Sequence, residues 1–283
     1  PATLTIAAKG PDPVSGFRWE RIGQQSRAYH RTQAMGRWIA PQAERDWPLH
    51  LVQSHLPGPD DSLTAGLPAH LGALADFANA PEIAADLSAA QEAVTAARAA
   101  FPDRPAVLKA ATPALTHIRR ATAACPDTAK DEVLHRLALK AVQIRRVIRI
   151  AAGVEVLART DKDWLSPGDS TALPIETRQG DADALSVEPL LPAGWHRTDD
   201  TLHAGLQAVP TDAYRDSYDP LVPRAPALSV RISTHGVDSK SIVPLEVPPV
   251  VLPPVLADLE PTTAVLNTAS TRRDLTVTLG ALH

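Results

Sequence analysis

The sequence predicts an α+β chain: a strand-bearing, irregular N-terminal segment, an alanine-rich antiparallel helical bundle, then an immunoglobulin-like β-sandwich. Three observations carry the prediction. Apolar residues step by threes and fours between 83 and 151, the period changes to two at Gly153, and short alternating runs then recur between Gly, Pro and Asp turns. Expected boundaries are 1–60 for the first segment, 61–152 for the bundle and 153–247 for the sandwich. Residues 248–283 supply either the last strands or the start of a truncated second sandwich.

In the first segment, Leu4 and Ile6 alternate with Thr3 and Thr5 as in a strand, and Gly10-Pro11-Asp12-Pro13 forces a turn. Ser15 or Gly16 can open a helix whose apolar positions are Phe17, Ile22 and Tyr29. Pro41, Pro48, Pro57 and Pro59 prevent one long helix, and Leu49, Leu51 and Val52 suit a further short strand.

Three helical stripes follow. Ile83, Leu87, Ala90, Val94 and Ala97 form the first, with Pro81 placed near the first turn. Leu108, Ala111, Leu115, Ile118 and Ala121 form the second, where Pro113 is expected to kink or divide the helix. Leu134, Leu137, Ala141, Ile144, Ile148 and Ala151 form the third, ending at Gly153. The basic residues Arg136, Lys140, Arg145, Arg146 and Arg149 read as the wet face opposite that stripe.

Strand candidates are Val154 to Ala158, Ala172 to Glu176, Leu185 to Leu191, Leu202 to Leu206, Ala227 to Ile232 and Ile242 to Val247. Prolines within them predict edge or end positions. Pro248 to Pro254 reads as a stiff spacer or edge strand, and Val265-Leu266-Asn267 and Leu275 to Leu279 add about two strands, too few for a core of their own.

Composition narrows the function classes. An apolar fraction of 44% and a charged fraction of 21% suit a folded globular protein, and a net charge of −4 gives no electrostatic reason to expect nucleic acid as partner. No stretch approaches a membrane span, and the first residues do not read as a signal peptide. A chain opening on Pro1 is expected to be part of a longer product. Cys125 is the single cysteine, so an intrachain disulfide and a cysteine-based zinc site are excluded. No phosphate-binding glycine loop and no Gly-x-Ser-x-Gly elbow is present.

The densest group of polar, titratable residues is Ser26 to Gly36. On a helix, Arg27, His30 and Arg31 share one face, which suits hydrogen bonds to sugar hydroxyls or a carboxylate; it equally suits surface or interdomain ion pairs with His30 capping a carbonyl. Gln33 belongs to the same candidate site. Trp19 and Trp38 flank it as possible stacking surfaces, although tryptophans in so aromatic-poor a chain are mostly expected to anchor cores. His50 and His55 are spaced too loosely to define a metal site, and Asp60-Asp61 reads as a solvated loop or helix cap.

The run Arg27…His30-Arg31-Thr32-Gln33-Ala34-Met35-Gly36, preceded by Phe17 to Gly23 and followed by Leu63 to Pro68, resembles the region after the catalytic domain in large bacterial deacetylases of the LmbE/PIG-L family. Ala151 to Val156 and Ser166-Pro167-Gly168-Asp169-Ser170 resemble that family's entry into a β-sandwich. The family's Ala-His-Pro-Asp-Asp zinc motif and its His-x-x-His partner are absent from these residues.

The resemblance implies that 1–60 is the tail of a catalytic α/β domain. It further implies an accessory C-terminal part of a zinc-dependent enzyme acting on N-acetylated amino sugars or glycosides. Zinc would belong to the complete enzyme and be bound by none of this chain's own motifs. The expected partners are an N-terminal catalytic portion or separate chain, and an amino-sugar substrate; this chain alone is expected to be inactive. The alternative is a non-catalytic carbohydrate- or protein-binding module using sandwich loops at Trp195-His196-Arg197 and Tyr214-Arg215-Asp216. Fold analogy slightly favours an extracytoplasmic setting.

Overall fold

The computed structural model describes residues 2–30, 46–53, 55, 62–64, 66–212, 224–253, 255–263, 272 and 274–281. It is a mixed helix and sheet structure with mainly antiparallel pairing, and it divides into two compact units, Pro1–Ala69 and His70–His283.

In the first unit, β1 (Leu4–Ile6) pairs antiparallel with β2 (Trp47–Leu49). Thr3 reinforces the pair, its hydroxyl accepting from the Leu51 amide. Lys9 and Asp46 close the opposite end, beyond the Ile6–Trp47 pair, with an ion pair of 2.9 Å. Asp12 then makes the expected turn, its carboxylate accepting from the Ser15 amide at 2.8 Å. Helix α1 spans Trp19–Ala28, beginning several residues later than Ser15. Its expected apolar face is only partly formed: Ile22 is half-buried, whereas Phe17 is exposed under the Arg21 guanidinium and Tyr29 is 88% exposed.

The second unit opens with a 3-10 turn at Leu71–Ala73 and the short helix α2 (Leu74–Phe77). Another 3-10 turn at Pro81–Ile83 leads into α3 (Ala84–Ala100), followed by α4 (Arg104–Ala124) and α5 (Lys130–Ala151). Helix α4 packs against both α3 and α5. The stripes face inward: Leu87 and Ala90 of α3, Leu108, Leu115 and Ile118 of α4, and Leu137, Ile144 and Ile148 of α5 are buried. Each large side chain contributes roughly 1.5–3 kcal/mol by leaving water.

Asp103 caps α4, its carboxylate accepting from the Ala106 amide. Pro113 does not divide α4, which continues for 21 residues with that ring on its exposed face. A proline outside the contact surface costs one backbone hydrogen bond without disturbing the packed side. A further tie between helices is the 2.7 Å contact of His117 Nδ1 with Asp86.

The end of α5 is held by several groups. Gly153 takes φ +70°, the Arg104 guanidinium donates to the Ile150 carbonyl at 2.7 Å, and Arg149 donates to the Val154 carbonyl. The Arg104 bond serves a carbonyl of the last helical turn, and the Arg149 bond ties α5 to the residue after Gly153. The wet-face expectation is therefore corrected for two residues: Arg145 and Arg149 are partly buried, each with its Nε shielded from solvent. Burial holds both guanidinium groups below their ordinary pKa.

The strands are β3 (Glu155–Ala158), β4 (Trp164–Leu165), β5 (Ser170–Ala172), β6 (Ile175–Arg178) and β7 (Ala184–Leu190). They continue with β8 (Trp195–Thr198), β9 (Thr201–Ala204), β10 (Ala227–Thr234), β11 (Val237–Pro244) and β12 (Val250–Val251). Sheets run β11-β10-β7 and β5-β9-β8, with smaller pairs β3-β6 and β12-β4; the last pair is parallel.

Central β10 buries Leu228, Val230 and Ile232, while Pro189 and Pro244 fall on the edge strands β7 and β11, as expected. The β10–β11 connection is His235-Gly236, both at positive φ, a turn that matches strand twist. Beyond them β13 (Val255–Glu260) pairs with β14 (Thr276–Ala281). Opposed pairs Ala257–Leu279 and Leu259–Val277 make one face apolar, while Asp258–Thr278 and Glu260–Thr276 make the other polar. Val265-Leu266-Asn267 lies outside the described residues.

Several strand boundaries differ from expectation; the run Leu202 to Leu206, for one, ends at Ala204 before Gly205. The run Ala172 to Glu176 is broken at Leu173-Pro174, and β11 ends at Pro244 rather than reaching Val247. Proline has no amide to continue a ladder.

Candidate functional site

Helix α1 ends at Ala28, so His30 lies outside it and does not share a helical face with Arg27. Arg27 sits in the last turn and is exposed. Tyr29 is the C-terminal cap, and His30 lies beyond the helix, exposed, with its amide donating to the Arg27 carbonyl at 2.9 Å. That backbone bond closes the helix end, and the exposed imidazole does not serve as a buried carbonyl cap. Arg31, Gln33 and Trp38 lie outside the described residues. Trp19, at the first turn of α1, is 44% exposed and does not anchor a core. Trp47 and Trp164 are also exposed, and among the described tryptophans Trp195 alone is buried.

Trp195-His196-Arg197 forms strand β8 rather than a loop. Trp195 packs inward, which removes it as a stacking platform. His196 faces His203 of β9 in register, their rings parallel within 10° and 4.7 Å apart. Arg197 is partly buried, donates to Asp200 at 2.6 Å and keeps its Nε shielded from solvent. Tyr214-Arg215-Asp216 lies outside the described residues.

Arg197 helps line a cleft of about 570 Å³ with Ile175 and Thr177 of β6, Gln179, and Leu185 and Val187 of β7. The volume lies in the range of small-ligand sites. Its chemistry is a guanidinium fork, a hydroxyl and an amide beside three branched apolar side chains, with no aromatic ring in the lining. Gln179 is fixed by donating to the Ala182 carbonyl at 2.7 Å. Such a lining hydrogen-bonds a polar or anionic group and shelters a small apolar one. The cleft brings together positions from separate strands. Only strand pairing, which no local spacing encodes, makes them neighbours.

Among the described residues, no group of three or more His, Cys, Asp or Glu side chains converges to hold a metal. His50 and His55 belong to no such group; His55 contacts Gln53 at 3.2 Å, and Asp60-Asp61 lies outside the described residues. The described residues present no zinc ligand set, and no hydrolytic step is assigned to them. Compared with protein-family models, curated proteins and solved structures, the chain matches none.

Proposed function

We propose that this chain is the accessory C-terminal part of a zinc-dependent deacetylase of the LmbE/PIG-L type, acting on N-acetylated amino sugars or glycosides. The metal ligands would come from sequence outside these 283 residues. One observation carries the reading: the family-like words fall at architectural junctions. Arg27 and His30 mark the end of α1, Leu67-Pro68 precedes the first helical turn, Ala151 to Val156 is the passage from α5 to β3, and Pro167-Gly168 is the turn into β5. In this reading α3, α4 and α5 form the family's helical bundle and the strands after Gly153 its immunoglobulin-like sandwich.

The test is acetate release from N-acetylglucosamine oligomers by three samples: this chain alone, a catalytic portion bearing the His-Pro-Asp-Asp motif, and both together. The expected result is activity from the catalytic portion, a several-fold lower KM when this chain is joined to it, and none from this chain alone. Acetate release by this chain alone overturns the reading, as do identical kinetics with and without it.

The cleft at Arg197 favours a second reading, a non-catalytic binding module for carbohydrate or protein. Under it, a polar glycan titrated into the protein shifts the Thr177, Gln179 and Arg197 resonances, and Arg197→Ala abolishes the shifts. Unchanged shifts in that variant contradict it.

A further inference from the structure

A second depression, of about 360 Å³, lies where α4 meets the outward face of the β11-β10-β7 sheet. Its polar lining includes Arg119 of α4, Ser186 of β7, Arg231 and Ser233 of β10, and Asp238 and Lys240 of β11. Three cations thus face one carboxylate. Arg231 and Lys240 stand directly opposite one another in the β10–β11 register, and Ser186 stands opposite Arg231 on the other side. Like charges so placed repel.

None of the ion pairs among the described residues involves Arg231, Lys240 or Asp238. Arg119 is anchored by one nitrogen, its Nη2 donating to the Asp238 carbonyl at 2.6 Å, which aims the guanidinium over the sheet. Arg145 of α5 lies close enough to Arg119 for the two charges to repel. Glu188 lies on the same outward face, opposite Ser229, outside the groove lining.

We propose that this groove is a binding site for a phosphate or sulfate group. A tetrahedral oxyanion between Arg231 and Lys240 converts their repulsion into two attractions. The forks of Arg119 and Arg231 offer paired donors to its oxygens, Lys240 adds a compact charge, and the Ser186 and Ser233 hydroxyls donate to what remains. The site is independent of the deacetylase reading and stands whether or not this chain accompanies a catalytic portion.

The experiment is an NMR titration of the full chain at constant ionic strength, with inorganic phosphate, inorganic sulfate and glucosamine 6-phosphate as probes and chloride as the balancing anion. Expected are saturable shifts confined to Arg119, Ser186, Arg231, Ser233 and Lys240. Arg231→Gln with Lys240→Gln should raise the apparent Kd at least tenfold. Lys240→Glu, which gives Arg231 an opposite charge, should abolish binding while leaving Tm equal or higher, separating lost binding from lost folding. Tighter binding of the sugar phosphate identifies an esterified ligand; equal affinity identifies the free oxyanion. Shifts that chloride reproduces, that fail to saturate, or that persist unchanged in both variants overturn the proposal.

Discussion

At Gly180 the backbone comes so close to the end of α5 that no side chain fits. Its φ is +57°, and an added Cβ would collide with the Ala152 carbonyl oxygen and with the Gly153 carbonyl group, both main-chain atoms. The next amide, of Asp181, donates to the Ala152 carbonyl at 2.7 Å, so this approach also completes the helix end. Gly180→Ala therefore combines left-handed strain with a main-chain clash and should destabilise the second unit by about 2 kcal/mol or more. Urea unfolding measures it; a loss below about 0.5 kcal/mol would contradict the contact.

In the first unit, the hydrogen bond and charge of Lys9 hold the Asp46 carboxyl below its ordinary pKa, and the partnership raises Lys9. The sign follows directly: Asp46 contributes stability above its unfolded pKa and loses it as pH falls through the lower folded value, while the Lys9 contribution fades above its own raised pKa. Acidification below about pH 4 should therefore loosen the β1–β2 pair. The protection factor of the Ala8 amide, whose N–H donates to Asp46, should fall there. A protection factor that stays constant through that range would contradict it. At this scale the sequence was least legible for His30: composition marked a polar segment, but where α1 stops depends on a backbone cap, and its helical spacing does not extend to His30.

Among the elements, the long helices were the most legible, because burial on one side repeats every three or four residues regardless of partners. The end at Gly153 was legible for the same reason that it works, a glycine at positive φ. Strand β8 was not: Trp195-His196-Arg197-Thr198 carries one buried apolar residue, and its pairing with β9 supplies the order. Strands β4 and β12, two residues each, are too short to show any period. Cleft and groove were illegible for a related reason, since Arg197 meets Gln179, and Arg231 meets Lys240, only through the fold.

Helix α4 yields a prediction of its own. Pro113 removes an amide from an exposed turn without contributing to the buried face, so Pro113→Ala should stabilise the protein by about 1–3 kcal/mol. A higher urea midpoint with an unchanged slope is the expected outcome. No gain would mean that the proline's constraint on the unfolded chain matters as much as the missing bond.

Across the second unit, buried residues form one continuous cluster, from Leu71 and the helices through Val154 and Leu165 to Leu228, Leu245 and Val251. Arg119 and α5 also meet β11 directly. Helices and strands sharing one core should unfold together. Amide exchange of buried positions in α4 and β10 should thus converge on one opening free energy, and two well-separated values would show that they fold independently.

The proposed deacetylase role requires that these residues accompany a zinc-dependent catalytic portion. Its most direct test is the metal content and intact mass of the assembly purified through this chain from its native source. Near one zinc per assembly, together with sequence bearing a His-Pro-Asp-Asp motif in the same reading frame or in a co-purifying polypeptide, is the expected result. A lone 30.1 kDa chain without zinc, and with no such motif encoded in its reading frame, would contradict the claim.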